Sequence, residues 1–455
     1  MKNNKILIIV GVILLNVVVI FMISQSLFGK TSQYDKTLIE ARTYYEQELC
    51  SKALAKYNEV ITMKDTLEVR LEMLELYEKG IDIGEFVSTY EIFTAVDTMV
   101  QTFREEPVAY EKACELLLKY EKYEECAKIL MFARDQKVTS EKIEEYRNLV
   151  RYQYMKNFST YTEVESCFNG MYKVLAENEY TYLTDEASPD FKYTYSDASS
   201  FSEEYAFVKG AHPDGKERSF VINKAGERQA YLDGVDSSSG VGRAKSKDGE
   251  NIYLLSCKIG NVYKYYDING KEMFGEYAFA GRFRNNVAAV MESEGVWKLI
   301  DGTGKEISEQ TFTSVALNEF DECAAKGYIF AKSGDKFNLY VYDVEKETVK
   351  PVDGFSCDDV KPFWGKYAAF KSGDLWGFVD TTGKVIIEPQ YEDAKSFSNS
   401  LGAVKIGGEW NFINPNNDIV IQETFEEVDY LNDKGICFVK DDGYWSYLKM
   451  YYTGE

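Results

Sequence analysis

The sequence predicts three regions: an N-terminal membrane-spanning helix, an α-helical repeat domain, and an all-β repeat domain folded as a seven-bladed β-propeller. Three observations predict this. The chain opens on a long apolar run. Of its 32 glycines, 28 come after position 169. A short hairpin signature recurs at steps of 34 to 44 residues through the C-terminal part. The boundaries read as 1–28 for the anchor, 32–155 for the helical repeats, 156–191 for a connection with a partial β unit, and 192–455 for the β domain.

The anchor comes first. Ile6 to Ile23 is interrupted only by Gly11 and Asn16, and apolar character resumes at Leu27 and Phe28. A helix over this stretch spans roughly 34 Å, enough for a hydrocarbon core of ~30 Å. Lys2 and Lys5 precede it, which predicts a cytoplasmic N-terminus with the bulk of the chain extracellular. A cleaved signal peptide ending near Ser24-Gln25-Ser26, and hence a secreted protein, is the alternative.

Between Lys30 and Tyr154 the only glycines are Gly80 and Gly84, and the only proline is Pro107. Glu, Lys, Leu and Ala dominate with helical periodicity. Ala41, Tyr44, Cys50, Ala53, Tyr57 and Val60 alternate small and aromatic residues. Cys114, Leu117, Tyr123, Cys126, Leu130 and Ala133 fall at the same offsets. Both segments resemble tetratricopeptide repeats, in which small residues let two helices touch. That resemblance implies a protein-binding groove; a stalk is the other reading. It also sets Cys114 opposite Cys126, either as a disulfide or as two small packing residues.

The β domain rests on a four-residue step. It joins Trp376 to Asp380, Trp410 to Asn414, Trp297 to Asp301 and Trp445 to Lys449. With other residues in the Trp slot it joins Tyr263 to Asp267, Leu339 to Asp343 and Ser219 to Asn223. Gly226, Gly270, Gly304 and Gly383 follow three residues later. Asp or Asn opens a turn readily and Gly tolerates positive φ, so this is hairpin chemistry. A small apolar strand precedes each slot, as in Leu401-Gly402-Ala403-Val404. An aromatic opens each unit: Tyr195, Tyr277, Phe312, Phe355, Tyr391 and Phe425, with Leu232 in the remaining place.

These residues resemble the WG-repeat family of bacterial proteins. In the Trp slot only Trp376 is followed by glycine; Lys298, Asn411 and Ser446 follow the others. Each unit offers three or four short strands, which is the size of a propeller blade. Seven copies predict seven blades. The partial unit near Val174 either helps to close the ring or adds an eighth. An open β-solenoid is the alternative architecture.

The formal charge of −23 argues against nucleic acid, which needs Lys and Arg against phosphates. His212, the only histidine, lies in a turn-rich loop, which leaves little room for His-based metal or acid–base chemistry. The eight cysteines contain no CxxC pair and read as buried thiols. No phosphate loop or nucleophile elbow occurs. Asp267-Ile268-Asn269-Gly270 resembles a calcium loop without the later ligands and reads as a turn. The tryptophans read as core.

The expected function is a membrane-anchored surface scaffold that binds protein or an envelope component. No catalytic, cofactor or metal residues are expected, and the sequence marks no binding residues. An envelope enzyme cleaving glycans with a carboxylate pair is the alternative, and carboxylates facing each other in a central cleft would favour it.

Overall fold

A computed structural model describes residues 33–86, 88–159, 161–212 and 214–452. The chain divides into two compact units, one ending at Gln153 and one beginning at Tyr154.

The first unit is helical: α1 (33–46), α2 (Cys50–Met63), α3 (Leu67–Asp82), α4 (Tyr90–Thr102), α5 (Pro107–Lys119), α6 (Tyr123–Asp135) and α7 (Glu141–Val150). Pro107 opens α5, where a missing N–H costs nothing. Ser140 caps α7 by accepting from the Ile143 N–H at 3.2 Å. Ala41, Cys50, Ala53 and Tyr57 are buried between α1, α2 and α3. Cys114 and Cys126 meet across α5 and α6 as free thiols. Their mutual hydrogen bond, then burial, pushes the Cys114 thiol up.

Among the described residues no helix is long and apolar enough to cross a membrane. The expected single-pass anchor, and the extracellular placement that depended on it, are therefore corrected. The stretch on which they rested, 1–28, lies outside the described residues.

The second unit is a closed ring of eight antiparallel sheets. The count of seven is therefore corrected, and the open solenoid with it. The extra blade comes from the segment read as a connection: Glu163–Phe168, Met171–Ala176 and Glu179–Thr184 form blade one. Its slot residue is Tyr180, bridged to Tyr195 as Trp410 is to Phe425. It lacks both Trp and the Asp-to-Gly turn, so the repeat pattern marks it only as a partial unit. Blades two to seven follow at 197–231, 237–277, 279–300, 314–357, 359–391 and 393–413.

Blade eight closes the ring. The strand Tyr154–Phe158 pairs with Tyr444–Met450, Tyr154 opposite Met450 and Phe158 opposite Ser446. Lys156 fastens this seam by donating to Glu423 at 2.9 Å and Asp441 at 3.3 Å. A sheet that mixes the two ends of a ring leaves no free edge at the seam.

The sequence repeat and the blade are out of phase. The aromatic that opens each sequence unit ends the preceding blade, where it faces the Trp slot: Tyr391 pairs with Trp376 and Phe312 with Trp297. Trp376, Phe378, Tyr391, Ala394, Phe397 and Val404 then share one core between blades six and seven. Trp376, Trp410 and Trp445 are each 7% exposed. The Asp or Asn four residues on is a turn device. The Asp380 carboxylate accepts from the Thr382 N–H at 2.8 Å and the Lys384 N–H at 3.1 Å. Asp267, in the calcium-like stretch, does the same with Asn269 and Lys271.

Candidate functional site: the propeller axis

The inner strand of each blade ends near the axis in a tight turn. Four of these turns hold two consecutive residues at positive φ: Asn169-Gly170, Asn285-Asn286, Lys326-Gly327 and Asn399-Ser400. Such two-residue turns match the twist of the flanking strands and favour Asn and Gly. They set Asn169, Asn285, Lys326 and Asn399 on the wall of an axial cavity of about 600 Å³. All eight blades contribute to this cavity, adding Ser202, Arg243, Arg284, Glu322, Trp364 and Asn432 among others.

Most of its charges are already matched. Arg284 pairs at 2.9 Å with Glu322, which is 1% exposed and also accepts from Asn318 at 3.0 Å. Burial raises the Glu322 carboxyl, opposed by Arg284 and Arg282. Arg243 lies 3.4 Å from Glu203.

An aromatic chain crosses the axis. Phe168 packs on Phe320 with ring centroids 4.4 Å apart, Phe320 on Trp364 at 5.7 Å, and Trp364 stacks parallel on Tyr430 at 4.1 Å. The guanidinium of Arg282 sits 5.4 Å from both phenylalanine rings. This arginine is 1% exposed and donates to Ser239 and Ser200, while its Nη1 has no partner.

A second pocket of about 310 Å³ is lined in part by residues close in sequence to the aromatic chain. Ser166, Glu319 and Asp429 precede Phe168, Phe320 and Tyr430. Five carboxylates line it, Glu163, Glu165, Glu319, Glu427 and Asp429, against Lys173 and Lys395. Lys173 is paired with Glu165 at 3.0 Å, and Glu427 with Lys440 at 2.8 Å. Asp429 is 5% exposed. Its Oδ1 accepts from Ser166 and from the Tyr430 N–H, while Oδ2 has no partner. Burial, then the charge of Glu319, pushes its carboxyl up to about 7, against the pull of Lys395.

The sequence reading did not reach these residues. His212 lies away from both pockets, paired with Asp214 at 2.8 Å. The legible signal was the turn dipeptide just ahead of each small apolar strand. Trp364-Gly365 was a second: it repeats the naming dipeptide outside the slot, at the axis. There a Cβ on Gly365 would sit 2.4 Å from the Phe397 carbonyl oxygen.

A family model described as a WG containing repeat matches residues 376–410 and 412–445. No curated protein matches the chain. Three solved structures are similar at low identity. BamB from Moraxella catarrhalis is 12% identical with a TM-score of 0.41, over 65% of this chain and 99% of that one. The Cps50 (Swd1) β-propeller domain of Myceliophteria thermophila is 11% identical with a TM-score of 0.31, over 54% and 93%. PorZ of Porphyromonas gingivalis, described as a surface component of the type-IX secretion system, is 10% identical with a TM-score of 0.30, over 64% and 46%. None of the three carries an argument about the function of this chain.

Proposed function

We propose that this WG-repeat β-propeller protein works by binding, as a scaffold for a protein partner or cell-envelope component, and not as an enzyme. The observation that supports this reading is the axial cavity of about 600 Å³ with residues from every blade on its wall. A closed ring fixes those residues relative to one another. Its amides, matched ion pairs and aromatic edge suit recognition of a polar segment better than turnover, since paired charges need no substrate to neutralise them. Crosslinking and pull-down from intact cells test it. Arg243→Glu combined with Lys326→Glu is expected to abolish capture of the partner, while Glu388→Gln on an outer strand leaves it intact. Equal capture by all three proteins overturns the reading.

A second reading is favoured by one observation. The smaller pocket gathers Glu165, Glu319 and Asp429, with Asp429 held near 7 and thus able to serve as an acid at neutral pH. On this reading the purified chain hydrolyses cell-wall glycans and Asp429→Asn abolishes the activity.

A further inference from the structure

The smaller pocket is lined by both apolar and acidic residues. Val164, Leu175, Val428 and Trp445 are its apolar lining. Of its carboxylates, Glu165 and Glu427 are held by Lys173 and Lys440, and Glu163 accepts from the Tyr180 hydroxyl at 3.3 Å. Glu319 is exposed at the mouth and makes no ion pair among the described residues. Asp429 is buried deeper and lines the pocket, and its Oδ2 has no hydrogen-bond partner among the described residues.

A buried carboxylate oxygen with an unused lone pair is costly unless a donor reaches it. Among the described residues, no three carboxylate, thiol or imidazole groups converge to hold a metal ion. A group that brings both its own donors and an apolar stem suits this lining. An ammonium on an alkyl chain has both: three N–H donors for Asp429 and Glu319, and methylenes for the apolar lining.

We propose that the pocket bounded by Asp429, Glu319 and Trp445 is a binding site for an alkylammonium group, of the kind carried by a lysine side chain or a free diamine. The site shares no lining residue with the larger cavity, so it stands or falls independently of the binding role assigned to that cavity. The Asp429 Oδ2 accepts one N–H, Glu319 supplies the second negative charge, and Lys395 limits the affinity by like-charge repulsion.

Calorimetric titration of the full chain with n-butylammonium, Nα-acetyl-lysine methylamide and putrescine, against 1-butanol as the neutral match, tests this. The amines are expected to bind at least about tenfold tighter than the alcohol, and Asp429→Asn and Glu319→Gln each to weaken them about tenfold. Lys395→Gln is expected to tighten them. The lysine derivative binding tighter than putrescine assigns the site to a protein side chain; the reverse order assigns it to a free amine. Glu388→Gln serves as the control for bulk negative charge. Equal binding of amine and alcohol overturns the proposal, as does a loss in Glu388→Gln matching that in Asp429→Asn. Glu319 is exposed, so its variant keeps the test valid whatever Asp429→Asn does to folding.

Discussion

Blades one and six share a backbone plan and almost nothing else. In blade six, Trp376 and Phe378 are buried, Tyr391 faces Trp376, and the Lys361 ammonium lies 4.7 Å from the Trp376 ring centroid. In blade one the same slot holds Tyr180, half-buried and facing Tyr195. Blade one also carries Glu165, Ser166, Phe168 and Asn169 at the axis. The regular blade thus buries its slot residue more fully, and the irregular one supplies several residues to the axis. Outer hairpins must fit a neighbouring blade on each side, which keeps them alike. Inner strands end in open space at the axis, so their residues are free to differ.

The largest test of that contrast is a pair of truncations. Trp376→Ala is expected to cost roughly 3–5 kcal/mol by urea denaturation, because a large ring leaves a cavity in a closed core. Tyr180→Ala, at the same slot of blade one, is expected to cost about 1–2 kcal/mol. Equal losses would remove the distinction between the two blades.

Next in size is a pH effect at the seam of blades one and eight. The folded value of Asp429 is pushed up to about 7. A raised acid contributes stability below its unfolded value, near 4, and loses that contribution as pH climbs through its folded value. Thermal melts of the wild type are therefore expected to lose on the order of 3 kcal/mol between about pH 4 and 8 from this group. Asp429→Asn should lose less stability than the wild type over that window and be the more stable protein at pH 8.

Gly377→Ala sharpens the comparison within the slot. A Cβ there would lie 2.5 Å from the Ile387 carbonyl oxygen, where the outer strand bulges inward. A loss of about 1–3 kcal/mol is expected, whereas Asn411→Ala, at the same position of blade seven, should change little. The smallest expected effect is Asp380→Ala, about 1 kcal/mol, from two backbone N–H groups losing their acceptor. Both effects are readable as denaturation midpoints.

Much of the β domain was legible because its signals are local. The step from Trp376 to Asp380 is a strand and its turn, and the small strand Leu401-Gly402-Ala403-Val404 is a strand wherever it sits. The helix pairs were legible for the same reason, through Ala41, Ala53, Cys114 and Cys126. Blade one was read only as a partial unit near Val174, because Tyr180 is not followed by the Asp-to-Gly turn that marks the other units. Asp429 was invisible: in sequence it is one acid among 75, and only the approach of Ser166 and Glu319 sets it apart.

The sequence by itself determined the repeat, its hairpin turns and the aromatic core between units, because each depends on residues within about one blade of each other. The tertiary structure decided the number of blades, the closure of Tyr154 against Met450, and both axial pockets. Those features join residues from opposite ends of the unit. Whether such residues meet depends on how many blades complete the ring, which no single blade encodes.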